Sequence, residues 1–433
     1  MALVEVGAFN LRTKQIKTEI EEDKKMKYLK KYAFVVLVVL AVFFIPWDAR
    51  GEDAPDAITF GCALSLSGWM AATTELCQTA NYDLWVEDVN AKGGIYVEKY
   101  GKRLPIKWKY YDDKSDPATT ARMYEKLILE DKVDFVVAPS GTAWHFAAAP
   151  IANSYGYQMI GATVSSDALV KRARAGKLPY YFTHFPPPAD IGPAIVDLLA
   201  DLGVKSVALL YTSTLYGIEY AAALGPQLQV SKIQTSVMES YPWDIKDFSP
   251  LLKKIKAANV DAILGMGYDL DGALLTEQMK VLGINPKIYY QASMGWGMET
   301  YKKKFGKTAL EGIMGDVAWN KNMPYPGASE YFDRFVKKWG REPDSSSSPF
   351  VYATMQIYEQ AIEKAGTLDR KKVRDVMAKE TFSTITGPVK FVDNYYKYPA
   401  LVGQWQKGKW EGIAPSEARS QKAMFPKPKW PSK

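Results

Sequence analysis

The chain has 433 residues and a mass of 48.5 kDa, enough for two to four domains with substantial hydrophobic cores. Hydrophobic residues make up 47% and charged residues 24%, which excludes wholesale disorder, a collagen-like repeat and a polytopic membrane protein. The net charge is +7, and nine basic against six acidic side chains fall in residues 1–51, so the remainder is too balanced for the basic stripe of a nucleic-acid binder.

In chain order, the first feature is an address. Lys27, Lys30 and Lys31 precede an apolar run from Ala33 to Ile45, Pro46 ends it, and Ala49-Arg50-Gly51 follows with small residues at alternate positions. Basic, apolar, then small-x-small is the order of a secretory signal. The run has 13 residues, against the roughly 20 that span a bilayer as a helix. A signal cleaved after Gly51 is therefore expected, with export to the periplasm. The alternative is an uncleaved anchor, because Trp47 and Asp48 are unusual before a cut. Residues 1–25 are polar, and Met26 is a natural start for such a signal. No cysteine lies just after the apolar run, so a lipid anchor is not expected.

From Ala57 onward, short apolar runs alternate with Gly/Ser/Asp-rich loops and amphipathic stretches. Ile58–Ala63, Ile106–Tyr111, Phe135–Ala138 and Gln158–Ile160 read as strands, with helices over Asp83–Ala91 and Pro117–Glu130. Asp116 followed by Pro117 is an N-cap with proline at the first helical position. After Pro186-Pro187-Pro188 a second series begins. It holds the helix Gly192–Leu202, the strands Val207–Tyr211 and Thr235–Met238, the helix Leu251–Ala258 and the strand Ala262–Met266. The helix Ala273–Leu282 and the strand Lys287–Gln291 close it. Helices over Ser329–Trp339, Phe350–Ala365 and Arg370–Lys379 come next. Val389–Val392 and Leu401–Gln406 then read as a closing antiparallel pair. Nearly continuous apolar strands separated by helices imply parallel sheets covered on both faces, and two series imply two doubly wound, Rossmann-like α/β lobes.

Catalytic signatures are missing. There is no G-x-S-x-G elbow and no phosphate-binding loop, and Gly265-Met266-Gly267 lacks the third glycine of a dinucleotide fingerprint. Two cysteines and two histidines exclude a disulfide scaffold, a four-cysteine zinc site and a histidine-rich metal site. Asp269-Leu270-Asp271-Gly272 lacks the remaining ligands of a calcium loop and reads as a solvated turn. His145 and His184 have no sequence-local partner. Asp112-Asp113 and Asp116 are explained by turn and cap duty. No metal, cofactor or enzymatic activity is expected.

Three loops at the C-terminal ends of first-lobe strands are rich in small hydroxyl residues: Ser65–Trp69, Ser140–Trp144 and Gly161–Ser166. Ligands of open parallel sheets bind outside the carboxyl ends of the strands. Amides and helix N-termini there favour an anion, to which hydroxyls add donors. The second lobe contributes Tyr216, Tyr268 and Trp296 at its own strand ends, and Trp69 and Trp144 add aromatic surface from the first.

The chain from about Ile58 to Gly412 resembles the branched-chain amino acid binding proteins of bacterial ABC importers. The resemblance rests on Leu66-Ser67-Gly68, Asp88–Ile95, Tyr111-Asp112-Asp113 before Asp116-Pro117, Met159–Thr163 and Leu215-Tyr216-Gly217. Asp247-Phe248-Ser249, Glu311-Gly312 and Gly387-Pro388-Val389 complete the series. It implies the type I periplasmic binding fold, two lobes joined by a three-segment hinge. The crossings are expected near Phe182–Pro188, Gly312–Trp319 and Gly387–Phe391. Lobe 1 would hold 52–185 and 315–388, and lobe 2 186–314 and 389–433. It also implies capture of an amino acid or related small carboxylate by lobe closure, and delivery to a membrane ABC permease. A ligand sensor of the same fold and an exported hydrolase with a spatially assembled site are the rival readings.

By the same resemblance, the carboxylate-binding positions match Thr142, Thr163 and Ser165, and the second-lobe aromatic positions match Tyr216 and Tyr268. The acid that meets a ligand's ammonium should fall near Ala292, Ser293 or Met294, none of which is acidic. That departure leaves two ligand classes open: amino acids, with Asp269, Asp271 or Glu239 as substitute counter-charge, and amine-free carboxylates, aromatic ones included. Cys62 and Cys77, 15 positions apart, are expected as two buried free thiols, with a disulfide as the alternative in an oxidising compartment.

Overall fold

The structure, a computed structural model, describes residues 21–27, 29, 31, 54–292, 299–316, 319–399, 402–417 and 419–431. The chain divides into Met1–Ala54 and Pro55–Lys433. In the first unit the backbone is helical over 21–27. The apolar run Ala33–Ile45, its cut after Gly51, and Trp296 all lie outside the described residues. Among those described, no helix is long and apolar enough to cross a membrane.

The second unit starts with β1 (Ile58–Leu64), α1 (Ala80–Ala91), a hairpin of β2 (Ile95–Val97) and β3 (Lys102–Leu104), and β4 (Ile106–Asp112). Then come α2 (Pro117–Leu129), β5 (Phe135–Val136), α3 (Thr142–Ser154), β6 (Met159–Gly161), α4 (Asp167–Arg174) and β7 (Tyr181–Thr183). β1 is central, parallel to β4 on one side and β5 on the other. Its two faces explain its continuous apolar sequence. Ile58, Phe60, Cys62 and Leu64 enter one core, and Ala63 enters the opposite one. Phe60 meets Trp85, Trp108, Phe135 and Tyr358 at ring separations of 5.3–5.5 Å. Burying such a ring stabilises the fold by about 1.5–3 kcal/mol. Gly61 faces the other core, where a Cβ would come within 2.9 Å of Leu127 Cδ2. Asp116 caps α2 as expected, accepting from Thr119 N–H at 2.6 Å.

The second lobe holds α5 (Pro188–Asp201), β8 (Ser206–Thr212), α6 (Leu215–Val230), β9 (Gln234–Tyr241), α7 (Ser249–Ala258) and β10 (Ala262–Met266). α8 (Asp269–Val281), β11 (Ile288–Ala292) and β12 (Met314–Asp316) follow. The chain then returns to the first lobe as α9 (Ala328–Trp339), α10 (Ser348–Ala365), α11 (Arg370–Lys379), β13 (Thr381–Thr384) and β14 (Gly387–Lys390). It ends with β15 (Val402–Gln406) and β16 (Lys409–Ala414). The second sheet runs β16-β15-β12-β11-β10-β8-β9, parallel from β9 to β12 and antiparallel beyond. Along β8, Val207 and Leu209 enter one core and Ala208 and Leu210 the other. β1 lies between β4 and β5, and β8 between β9 and β10, so each sheet has a switch point of the kind beside which ligands bind in open α/β sheets.

The chain passes between lobes after Thr183 and after Asp316, where the sequence places crossings. The third differs. The expected pairing of Val389–Val392 with Leu401–Gln406 does not form: β14 pairs with β13, and β15 with β16. Val389, Phe391 and Tyr398 bury in the first lobe's core with Phe382 and Ile385. The third crossing therefore follows Tyr398, not Gly387–Phe391. Only Ile385 and Thr386 separate β13 from β14, so this hairpin closes at a smaller entropic cost than the longer pairing.

Cys62 on β1 and Cys77 beside α1 are both buried and both free. Burial pushes the Cys77 thiol up strongly. Titration with an aromatic disulfide reagent should find no reactive thiol in the native protein and two in the unreduced, denatured protein. Zero after denaturation would mean that the two are bridged.

Candidate functional site

The facing sheet edges line a narrow cavity of about 20 Å³, room for about one water molecule. Gly141, Thr142, Thr163, Ser165, Phe185 and Ser346 line it from the first lobe and the adjoining crossing. Tyr216, Gly267, Tyr268 and Asp316 line it from the second. Five of the nine sequence-predicted site residues thus line the one cavity: Thr142, Thr163, Ser165, Tyr216 and Tyr268.

α3 enters this wall by its N-terminus. Gly141 holds φ 85° and ψ 156°, a conformation that favours glycine, and no side chain caps the helix. The first helical bond is from His145 N–H to Gly141 C=O at 3.2 Å. The amides before it lie at the positive end of a 13-residue helix, an arrangement that favours an anion. The neighbouring hydroxyls differ in how far they are committed. Ser165 Oγ donates to Pro186 C=O at 3.0 Å. Thr163 Oγ1 donates to Pro139 C=O at 3.3 Å and accepts from Gln78 Nε2 at 3.0 Å. Thr142 Oγ1 reaches Ser165 C=O only at 3.5 Å, the loosest of the three.

The first hydroxyl loop is used differently. Leu66 and Ser67 N–H both donate to Asp112 Oδ1 at 3.1 Å, Ser67 Oγ to Asp112 Oδ2 at 2.6 Å, and Ser65 Oγ to Asp113 Oδ1 at 2.7 Å. Turn duty thus absorbs both aspartates, and Ser65–Gly68 is not in the cavity wall.

Trp69 and Trp144 also lie outside the wall. Trp69 stacks on Trp243 of the second lobe at 4.6 Å and meets Trp144 and Tyr268 edge-on at 5.7 and 5.2 Å. With Met70 they form an apolar contact between the lobes. Two polar contacts accompany it: Ser166 Oγ donates to Glu219 Oε1 at 2.6 Å, and Thr73 Oγ1 to Asp269 Oδ2 at 3.1 Å. Asp269 is therefore a half-buried inter-lobe partner in the first turn of α8, outside the cavity wall. The expected solvated turn over 269–272 is helical. Asp271 Oδ1 accepts from Tyr268 N–H at 2.6 Å, half of a capping box.

The sequence reading missed Asp316. It ends β12, is buried, and lines the cavity. Tyr220 Oη donates to it at 2.8 Å, and Tyr290 Oη also bonds it. β11 and β12 pair Tyr290 with Met314 and Gln291 with Gly315. Continuing that register sets Asp316 beside Ala292, the position where an acid was sought. Burial raises the carboxyls of Asp316 and Asp271 to about 7. Burial also pushes His145 down to about 4 and His184 down to about 3, so both are neutral. His145 Nδ1 bonds Gly141 C=O at 2.8 Å, and His184 Nε2 bonds Thr354 Oγ1 at 2.9 Å.

The chain belongs to the periplasmic binding protein family, whose model matches residues 57–409. It is 26% identical over 379 residues to the leucine-, isoleucine-, valine-, threonine- and alanine-binding protein of Pseudomonas aeruginosa, covering 85% of this chain and 95% of that one. Its fold is that of the branched-chain amino acid transporter substrate-binding protein of Streptococcus pneumoniae, solved with isoleucine. The TM-score is 0.71 at 24% identity over 83% of this chain and all of that one. A solute-binding protein of an ABC transporter from Rhodopseudomonas palustris, solved with 3,4-dihydroxybenzoic acid, gives a TM-score of 0.71 at 19% identity. It covers 86% of this chain and 99% of that one. The architecture is the type I periplasmic binding fold.

The raised carboxyls link stability to pH. Asp316 titrates at about 7 when folded, against 3.8 ordinarily, so between those values the folded state holds the extra proton. Its contribution to stability is full below 3.8 and lost as pH rises through about 7. Melting temperatures from pH 5 to pH 8 should fall more steeply for the wild type than for Asp316→Asn. Parallel profiles would contradict a raised Asp316.

Proposed function

We propose that this chain is an exported solute-binding protein of an ABC importer, which captures a small organic acid by closing its lobes and presents it to a membrane permease. One observation carries the reading: an uncapped helix N-terminus from one lobe opens into a cavity whose other walls are tyrosines of the second lobe. The ligand's carboxylate meets the first amides of α3 with Thr142 Oγ1, and Thr163 and Ser165 shape the floor. Charge-assisted bonds of this kind are worth about 1.5–3 kcal/mol each. Phe185, Tyr216 and Tyr268 supply apolar walls, and the Tyr216 hydroxyl is occupied by Ala292 C=O at 2.9 Å. The contacts of Trp69, Thr73 and Ser166 with the second lobe hold the closed form that a permease recognises. Capture involves no chemistry on the ligand. The names of relatives support this class of cargo, amino acids in some and an aromatic acid in another.

A thermal-shift screen with amino acids and simple carboxylic acids tests the reading. A ligand at a hundred times its Kd stabilises by about 2.7 kcal/mol, and the compound should be recovered unchanged. No stabilisation by any member, or consumption of the compound, would overturn it. Thr142→Val should weaken capture about tenfold, about 1.4 kcal/mol. Ser67→Ala, whose hydroxyl serves Asp112, should leave affinity unaltered.

A further inference from the structure

We infer that Glu219 and Asp167 form a reciprocal clasp between the lobes, each carboxylate capping a helix of the opposite lobe, and that this clasp sets the spacing of the cavity's two walls. The inference concerns the movement rather than the cargo, and it stands whichever ligand the cavity takes.

Both caps follow from what the helix starts lack. The N-cap of α5 is Pro187, whose side chain accepts nothing, and Pro188 at the first helical position has no N–H. Ala189 therefore carries the first N–H of a 14-residue helix. It donates to Asp167 Oδ1 of the first lobe at 3.0 Å. α4 is capped only in part by its own chain, Ser166 Oγ accepting from Leu169 N–H at 3.2 Å. The amide before that one, Ala168 N–H, donates to Glu219 Oε2 of the second lobe at 3.2 Å. The Ser166 hydroxyl donates to Glu219 Oε1 at 2.6 Å. Glu219 thus meets two donors at one helix start, where an orphan amide needs an acceptor and the helix dipole favours a negative charge.

The clasp adjoins the cavity on both sides. Ser165, next to Ser166, and Tyr216, one turn before Glu219 on α6, both line it. Joining Ser166 to Glu219 therefore fixes how far apart those two walls stand. Among the described residues that line the cavity, neither Asp167 nor Glu219 appears, so both are positioning residues. Ala189 lies just past the first crossing, where rotation of the lobes moves it least. The Asp167 cap is thus the pivot, and the Glu219 cap the contact that releases. The attraction is opposed. Burial raises the Asp167 carboxyl, the Ala189 amide offsets part of the rise, and the charges of Glu219 and Asp190 add to it. Asp190 is met in turn by Tyr395 Oη and by Lys397 Nζ at 3.9 Å. Like charges crowding the joint favour its release, as the helix amides favour its closure.

Thiol labelling reads the opening without a ligand. Met70 is buried in the apolar contact between the lobes. In Met70→Cys, the rate at which a maleimide labels position 70 follows the fraction of time the lobes stand apart. Cys62, buried on the central strand of the first lobe, labels only when that lobe unfolds and is the internal control. Peptide mass spectrometry separates the two sites. In the Met70→Cys background, Glu219→Ala should speed labelling at position 70 about tenfold or more, the equivalent of one charge-assisted hydrogen bond. The Cys62 rate should not change. Glu219→Gln, which keeps one acceptor oxygen, should fall between, and Asp167→Ala should speed position 70 as well. An unchanged rate at position 70 in Glu219→Ala would overturn the clasp, and one in Asp167→Ala its reciprocal half. Equal acceleration at position 70 and at Cys62 would mean that the variants only loosen the first lobe, and would also overturn the inference. So would a glutamine variant as fast as the alanine one.

Discussion

The cleft depends on one constraint: α3 starts at Gly141 without a side chain on its first amides. A buried helix N-terminus leaves donors that must be met by something. The polar side chains on either side turn to carbonyls and leave those amides unmet. His145 turns back to Gly141 C=O, and Thr142 Oγ1 stretches to Ser165 C=O at 3.5 Å. Gly141 itself is fixed by geometry, because its φ of 85° is one that side chains rarely adopt and a Cβ would meet the Trp144 ring at 3.1 Å. The same ring packs with Met70 and Tyr268 between the lobes. The backbone that leaves these amides uncapped and the apolar contact between the lobes are thus one piece of structure.

Closure is built from unlike parts. The Trp69–Trp243 stack is apolar and tolerant of small rotations. Ser166 to Glu219 and Thr73 to Asp269 are directional hydrogen bonds. The three crossings let the lobes move as bodies, and the second runs directly from Asp316.

Much of this was legible in the sequence, for local reasons. Ala262–Met266 and Arg370–Lys379 fall where apolar runs and periodicity put them, because buried parallel strands and amphipathic helices write their environment into consecutive residues. Asp116-Pro117 marked the start of α2 by cap chemistry alone. The helices α3 and α6 were read as loop and aromatic motif, since each carries an internal proline, Pro150 or Pro226, that argues against a helix in sequence although the helix runs through it. The third crossing was displaced because Val389 and Phe391 suit either lobe, and a two-residue turn decided the matter. Thr142, Thr163, Ser165, Tyr216 and Tyr268, read from strand-end loops and the resemblance, line the cavity. Asp316 was not. Its strand has three residues, Met314–Asp316, and its neighbourhood is set by register with β11 and by Tyr220, 96 positions away in sequence. An acid ending the strand next to Ala292 was the available signal. Using it requires knowing that β12 lies beside β11.

The most direct measurement of the central claim is the identity of the small molecule the protein carries. The protein, isolated undenatured from cells that produce it, can be weighed by native mass spectrometry, then denatured and its small molecules identified. The account predicts one compact carboxylic acid per chain, lost on denaturation and rebound on its return. A stoichiometric compound without a carboxyl group would contradict it.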